Sequence, residues 1–134
     1  MPLSYTYRDI RWHLVPPEYA LDDFINACRT GKARPSKSAR RDASLYFQLH
    51  TEEQLLLFIA SNGLENPTFI NSRELDKWPG PPPAPVVDAY TFFSGPQKGY
   101  IAFFLSPKWY WILKSFHNNN HEGEINLKSN PKIL

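Results

Sequence analysis

Within Pro17 to Arg29 the apolar residues Leu21, Phe24, Ile25 and Cys28 are spaced i, i+3, i+4 and i+7, which predicts a helix with one apolar stripe. Gly31 supplies its stop, because glycine enters the left-handed conformation that ends helices at little steric cost. A second short helix is expected through about Gln48, capped by Ser36 or Ser38, with Ala39, Ala43, Tyr46 and Phe47 on one face. A third is marked most clearly. Thr51 and Gln54 have capping-box spacing, Leu55 to Ile59 is densely apolar, and Gly63 stands at the expected C-terminal position. Leu64 to Pro85 is then broken by Pro67, Pro79, Pro81, Pro82, Pro83 and Pro85, so a loop is expected there, with at most a turn of helix around Arg73 to Lys77.

After Pro85 the pattern turns to β. Val86 to Phe93, Gly99 to Leu105 and Trp109 to Phe116 are rich in Val, Ile, Tyr, Phe and Trp, and short turn sequences separate them. They predict an antiparallel meander, to which Leu3 to Leu14 can add a strand of undefined register. With helices first and strands last, the expected class is α+β: N-terminal helices packed on one face of a small antiparallel sheet, the other face free to meet a ligand. Beyond His117 the chain is polar and without periodicity, so residues 1–117 are expected to form one domain and 118–134 a flexible tail.

Composition narrows the class. The 134 residues suit one domain, and 42% hydrophobic with 21% charged residues excludes a wholly disordered or collagen-like chain. The longest apolar run, Leu55 to Ala60, is far short of the roughly 18 residues that span a bilayer. Arg8, Asp9, Arg11 and His13 interrupt the first fifteen residues, which argues against a signal peptide; a cytoplasmic location without a membrane partner is expected. Net charge is only +2, but Arg29, Lys32, Arg34, Lys37, Arg40 and Arg41 cluster with no acidic residue between Arg29 and Asp42. That density suits a polyanion, with Arg34, Lys37, Arg40 and Arg41 as candidate RNA contacts, and it equally suits a solvated helix face.

No G-x-S-x-G, phosphate-cradling glycine loop, C-x-x-C or H-E-x-x-H occurs in the chain. Cys28 lies on an apolar stripe and reads as a small buried hydrophobe. His117, His121 and Glu122 make an incomplete ligand set, so no metal or other cofactor is expected. His117 ends the last strand, and histidine is the side chain that changes charge near neutral pH, as a general acid or base in RNA cleavage must. Alternation puts Trp109, Trp111, Leu113, Ser115 and His117 on one face unless a bulge intervenes. Tyr100 either fills a core position or offers its hydroxyl and ring to a phosphate or base.

Several segments in order resemble the MqsR toxins of bacterial toxin and antitoxin pairs, within the RelE-like ribonuclease fold. They are Gly31, Lys32, Ala33, Arg34; Ser38 to Ala43; Phe69, Ile70, Asn71, Ser72; Asp88, Ala89, Tyr90; Gly99, Tyr100, Ile101; and Ser115, Phe116, His117. The resemblance implies a messenger-RNA endonuclease, a hydrolase held inactive by an antitoxin protein, with tyrosine and basic side chains on an open sheet and no metal. The family tyrosine is matched by Tyr100, and its lysine after the final Ser-Phe pair is His117 here. A lysine expected at Asn71 and a glutamine expected at Val87 are missing. Arg73 or Lys77 is a conjectured replacement for the lost cation, and Arg73, Lys77 and Lys114 are candidate phosphate stabilisers beside His117 and Tyr100. Two rival readings stand beside the enzyme: a non-catalytic RNA-binding or antitoxin-binding domain, and a protein-interaction module presenting the proline-rich loop.

Overall fold

In the computed structural model, which describes residues 16–119, helix α1 (Leu21–Thr30) buries Phe24, Ala27 and Cys28 and ends at Gly31, whose φ of 79° is left-handed. Helix α2 (Lys37–Phe47) is capped by Ser36 rather than Ser38: the Ser36 hydroxyl accepts from the Ala39 N–H at 3.1 Å. Ala39 and Ala43 are fully buried. Small side chains at these points let the helix axis lie close to the sheet. Tyr46, expected on the same face, is 42% exposed. In the last turn of α2 it is Phe47 that faces the sheet, against Phe92 and Phe116, while the Tyr46 carbonyl accepts a bond from Gln97.

Helix α3 (Glu52–Ala60) has the expected cap. The Thr51 hydroxyl accepts from the Gln54 N–H at 3.0 Å, and Gln54 accepts in return from the His50 N–H at 2.7 Å. At its other end the left-handed residue is Asn62 (φ 65°), not Gly63. The Gly63 N–H donates to the Phe58 carbonyl, and a Cβ there would sit 2.5 Å from that oxygen. Close approach, not backbone conformation, therefore requires this glycine.

Among the described residues the sheet has five strands: β1 (Ala33–Pro35), β2 (Glu65–Glu74), β3 (Val86–Ser94), β4 (Gln97–Leu105) and β5 (Trp111–Asn118), in the order β1-β5-β4-β3-β2. Two of them correct the sequence reading. Strand β2 occupies the expected loop and places Arg73 in a strand, not in a helical turn. It lies at the sheet edge, where Pro67 can lack an N–H without breaking a ladder, and Phe69 packs edge-on against Tyr90 with ring centres 5.5 Å apart. Strand β1 runs parallel to β5, with Ala33 opposite Trp111. The other pairs are antiparallel, and β3 and β4 are joined by Gly95 and Pro96, where φ of 62° at the glycine suits a tight hairpin turn.

Strand β5 contains the bulge that alternation alone ignored. Ala102 pairs with Ser115 but Phe103 with Leu113, so Lys114 is an extra residue. Trp111, Leu113 and Phe116 consequently pack toward the helices, while Tyr100 stacks on His117 across the opposite face. The single-face grouping of Trp109, Trp111, Leu113, Ser115 and His117 is thereby broken. Trp109 lies in the turn before β5, with φ of 64° and 76% exposure.

The three helices among the described residues all pack on one sheet face around Phe92, Ile101, Phe103, Leu113 and Phe116. Phe24 stacks on Phe103 with ring centres 4.1 Å apart. Each fully buried aromatic side chain contributes roughly 1.5–3 kcal/mol. The class is α+β, with the helices preceding most of the sheet in sequence. Among the described residues no helix is long and apolar enough to cross a membrane. The candidate strand at Leu3 to Leu14 and the tail from residue 120 onward lie outside the described residues.

Candidate functional site on the helix-free sheet face

No helix among the described residues contributes to the apolar cluster on the second sheet face, which is built from Val87, Ala89, Ala102 and Phe104, with Tyr19, Leu75, Tyr100 and Ile112 against it. Phe104 is buried among these neighbours, whereas the face is open over a hollow beside Val87 and Ala89 and toward the β3–β4 turn, where Phe93 is exposed.

Tyr100 and His117 face each other directly across β4 and β5. Their rings are stacked, 4.8 Å between centres and 17° between planes. The His117 Nδ1 lies 2.7 Å from the Asn118 carbonyl oxygen. A carbonyl can only accept, so Nδ1 carries the proton and a neutral ring offers Nε2 as its base. Next to this pair is a hollow of about 140 Å³ whose floor is Ala89 and Ala102 and whose walls include Asn71, Arg73, Tyr100 and Lys114. Arg73 projects from β2 and Lys114 from the β5 bulge. Three strand spacings separate those strands, about 14 Å, so an arginine and a lysine reaching inward can meet over the alanines between them. Glu74 and Asp76 also line this hollow, giving it an acidic flank on the β2 side.

Sequence-predicted site residues thus divide. His117, Tyr100, Arg73 and Lys114 converge on this face, together with Asn71 and Val87, the two positions where the resemblance expected other side chains. Lys77 is not among the residues lining the hollow; it sits in a turn after β2 with φ of 55°. Lys37, Arg40 and Arg41 are exposed on α2, in the helix layer. Arg34, on the edge strand, donates to the Tyr110 hydroxyl at 3.2 Å, lies over its ring, and pairs with Glu52 at 3.9 Å. The sequence reading missed Thr91, Phe93 and Lys98. Alternation outward from Tyr100 and its partner Thr91 is the signal that finds them.

Cys28 and Asp88 serve the fold. Burial pushes the Cys28 thiol up to about 12, so it is no nucleophile near neutral pH, although it lines a larger hollow of about 590 Å³ between α1 and α3. Asp88 is fully buried on the helix side, accepting from the Glu18 N–H at 3.0 Å, the Tyr19 N–H at 2.9 Å and the Ser72 hydroxyl. No protein-family model matches the chain, and neither the curated proteins nor the solved structures contain a significant match to it.

Proposed function

We propose that the chain is an endoribonuclease toxin that cleaves messenger RNA in the cytoplasm and is neutralised by an antitoxin protein. One observation carries the reading: a stacked Tyr100–His117 pair lies beside a hollow flanked by Arg73 and Lys114, on a sheet face that no helix among the described residues covers. In the reaction a ribose 2′-oxygen attacks the adjacent phosphorus and the bond to the next 5′-oxygen breaks, leaving a 2′,3′-cyclic phosphate and a 5′-hydroxyl. The His117 Nε2 removes the 2′-hydroxyl proton or, when charged, supplies one to the leaving oxygen. Tyr100 positions the imidazole by stacking and has a hydroxyl able to hold a proton. Arg73 and Lys114 stabilise the charge that grows on the phosphorane oxygens.

The proline-rich loop gives the interaction-module reading little support. Leu75 bonds back to the Pro85 carbonyl and Trp78 to that of Pro81, so the segment is folded on itself, not presented as an extended ligand. The deciding experiment is incubation of the purified chain with RNA oligonucleotides and detection of cyclic-phosphate ends. His117→Ala is expected to lower cleavage about 100-fold or more with the fold retained. Full activity in a folded His117→Ala variant, or no cleavage by the wild type, overturns the proposal. RNA binding without cleavage by the wild type would favour the non-catalytic RNA-binding domain.

A further inference from the structure

We infer that Phe93 and Lys98 form a nucleotide subsite beside Tyr100 and His117, making the accessible face a linear track for single-stranded RNA along β4. The inference rests on reading this face as an RNA site. The β3–β4 register is unbroken from Asp88 opposite Phe103 to Ser94 opposite Gln97. The alternation that puts Ala89 and Ala102 on the helix-free face therefore puts Thr91, Phe93, Lys98 and Tyr100 there too. Phe93 and Lys98 are direct cross-strand partners. Phe93 is 38% exposed, whereas its neighbour Phe92, on the helix side, is fully buried.

Spacing and charge together fit single-stranded RNA as the occupant. Residues 98, 100 and 102 of β4 are successive positions on one face, about 7 Å apart, the length of one nucleotide step in an extended strand. Each step offers a group suited to that repeat. Lys98 presents a cation next to an open aromatic ring, Tyr100 presents its stacked pair with His117, and Ala102 forms the floor between Arg73 and Lys114. Glu74 and Asp76 repel phosphates from the β2 flank and leave the axis of β4 as their path. Glu65, opposite Phe93, accepts from the Gly95 N–H at 3.1 Å, which ties its carboxylate to the turn. An unpaired base can stack on Phe93 while Lys98 holds its phosphate. A phenyl ring has no hydrogen-bonding edge, so this subsite accepts any base.

The test uses the full chain, short oligoribonucleotides for cleavage, and a labelled 2′-O-methyl oligomer, which cannot be cleaved, for binding. Phe93→Ala is expected to raise KM and the oligomer Kd about 5- to 100-fold with kcat little changed, and Phe93→Trp to restore both. Lys98→Gln should flatten the salt dependence of binding by about 0.7 in the log–log slope. Removing the nucleotide that reaches Phe93 should weaken wild-type binding but leave Phe93→Ala unaffected. Unchanged KM and Kd in a folded Phe93→Ala variant that still cleaves RNA would overturn the subsite and leave the enzyme reading intact. Oligomer binding that depends on Phe93, in a chain that does not cleave, would support the track and overturn the nuclease. A wild type that neither binds nor cleaves overturns both.

Discussion

Asp88 shows how one side chain fixes a segment that has no regular structure of its own. Its carboxylate is fully buried beside the aromatic core, a position tolerated because two backbone N–H groups and the Ser72 hydroxyl surround it. It holds Glu18 and Tyr19 against the start of β3, where the Tyr19 hydroxyl also bonds to the Val86 carbonyl at 2.6 Å. Hydrogen bonds to a charged group contribute about 1.5–3 kcal/mol each, so Ser72→Ala should cost about that much and Asp88→Ala more, read as a lower urea midpoint. Cys28 gives a second test at this scale. With its thiol pushed up from the ordinary value near 9 to about 12 by burial, it should resist alkylation at pH 8 in the folded chain and react once urea unfolds it. Burial raises Tyr90 as well, and the charge of Asp88 adds to it. Both groups hold their protons more tightly folded than unfolded. Their contribution is complete below about pH 9 and is lost as pH rises through the folded values, so urea midpoints should fall across that alkaline range.

The elements differ in how plainly the sequence announced them. Each of the three helices was legible from a different signal: the apolar stripe and Gly31 stop of α1, the Ser36 cap of α2, and the Thr51–Gln54 cap with its apolar run in α3. Strands β3, β4 and β5 were legible from their aromatic and β-branched runs. Strand β2 was not: Asn66, Pro67 and Asn71 are poor strand formers, and it forms because β3 offers a partner and Phe69 a contact on Tyr90. Strand β1, three residues long, is held by β5 and carries no period of its own. At the candidate site, Tyr100 and His117 were legible as residue types but their apposition was not, because register and bulges depend on the partner strand. The bulge itself is testable. Deleting Lys114 brings Leu113 and Ser115 next to each other opposite Phe103 and Ala102 without changing either pairing. The fold should survive with a loss of about 1 kcal/mol, since Ser36 loses its bond to the Lys114 carbonyl, while RNA cleavage falls for want of the cation. Circular dichroism and melting temperature report the first outcome and the cleavage rate the second.

At the scale of the molecule, the chain separates its cations between two layers. Arg73, Lys98 and Lys114 belong to the helix-free face, while Lys37, Arg40 and Arg41 are exposed on α2 on the other side of the sheet. An RNA long enough to reach both must pass around the β1 edge; a short one need touch only the first. Exchanging Lys37, Arg40 and Arg41 for glutamine should therefore leave cleavage of short oligonucleotides unchanged. For long RNA the same exchange should weaken binding and flatten its salt slope by about 0.7 per lost phosphate contact. Binding titrations at several salt concentrations, with substrates of two lengths, check both halves.

The parallel pairing of Ala33 with Trp111 also sets a timetable for synthesis. A ribosome delivers β1 and α2 early, but the strand between which they and β4 are to be joined is the last of the sheet to emerge. Until it does, Ala39 and Ala43 lack the surface they are buried against, and Tyr100 waits without its opposite ring. Non-local closure of this kind slows folding, because the ends of a long chain segment must meet before any contact rewards them. On the proposed reading, the order of manufacture would act as a safeguard: His117 arrives with β5, so a copy that still lacks this strand also lacks the imidazole of the candidate site.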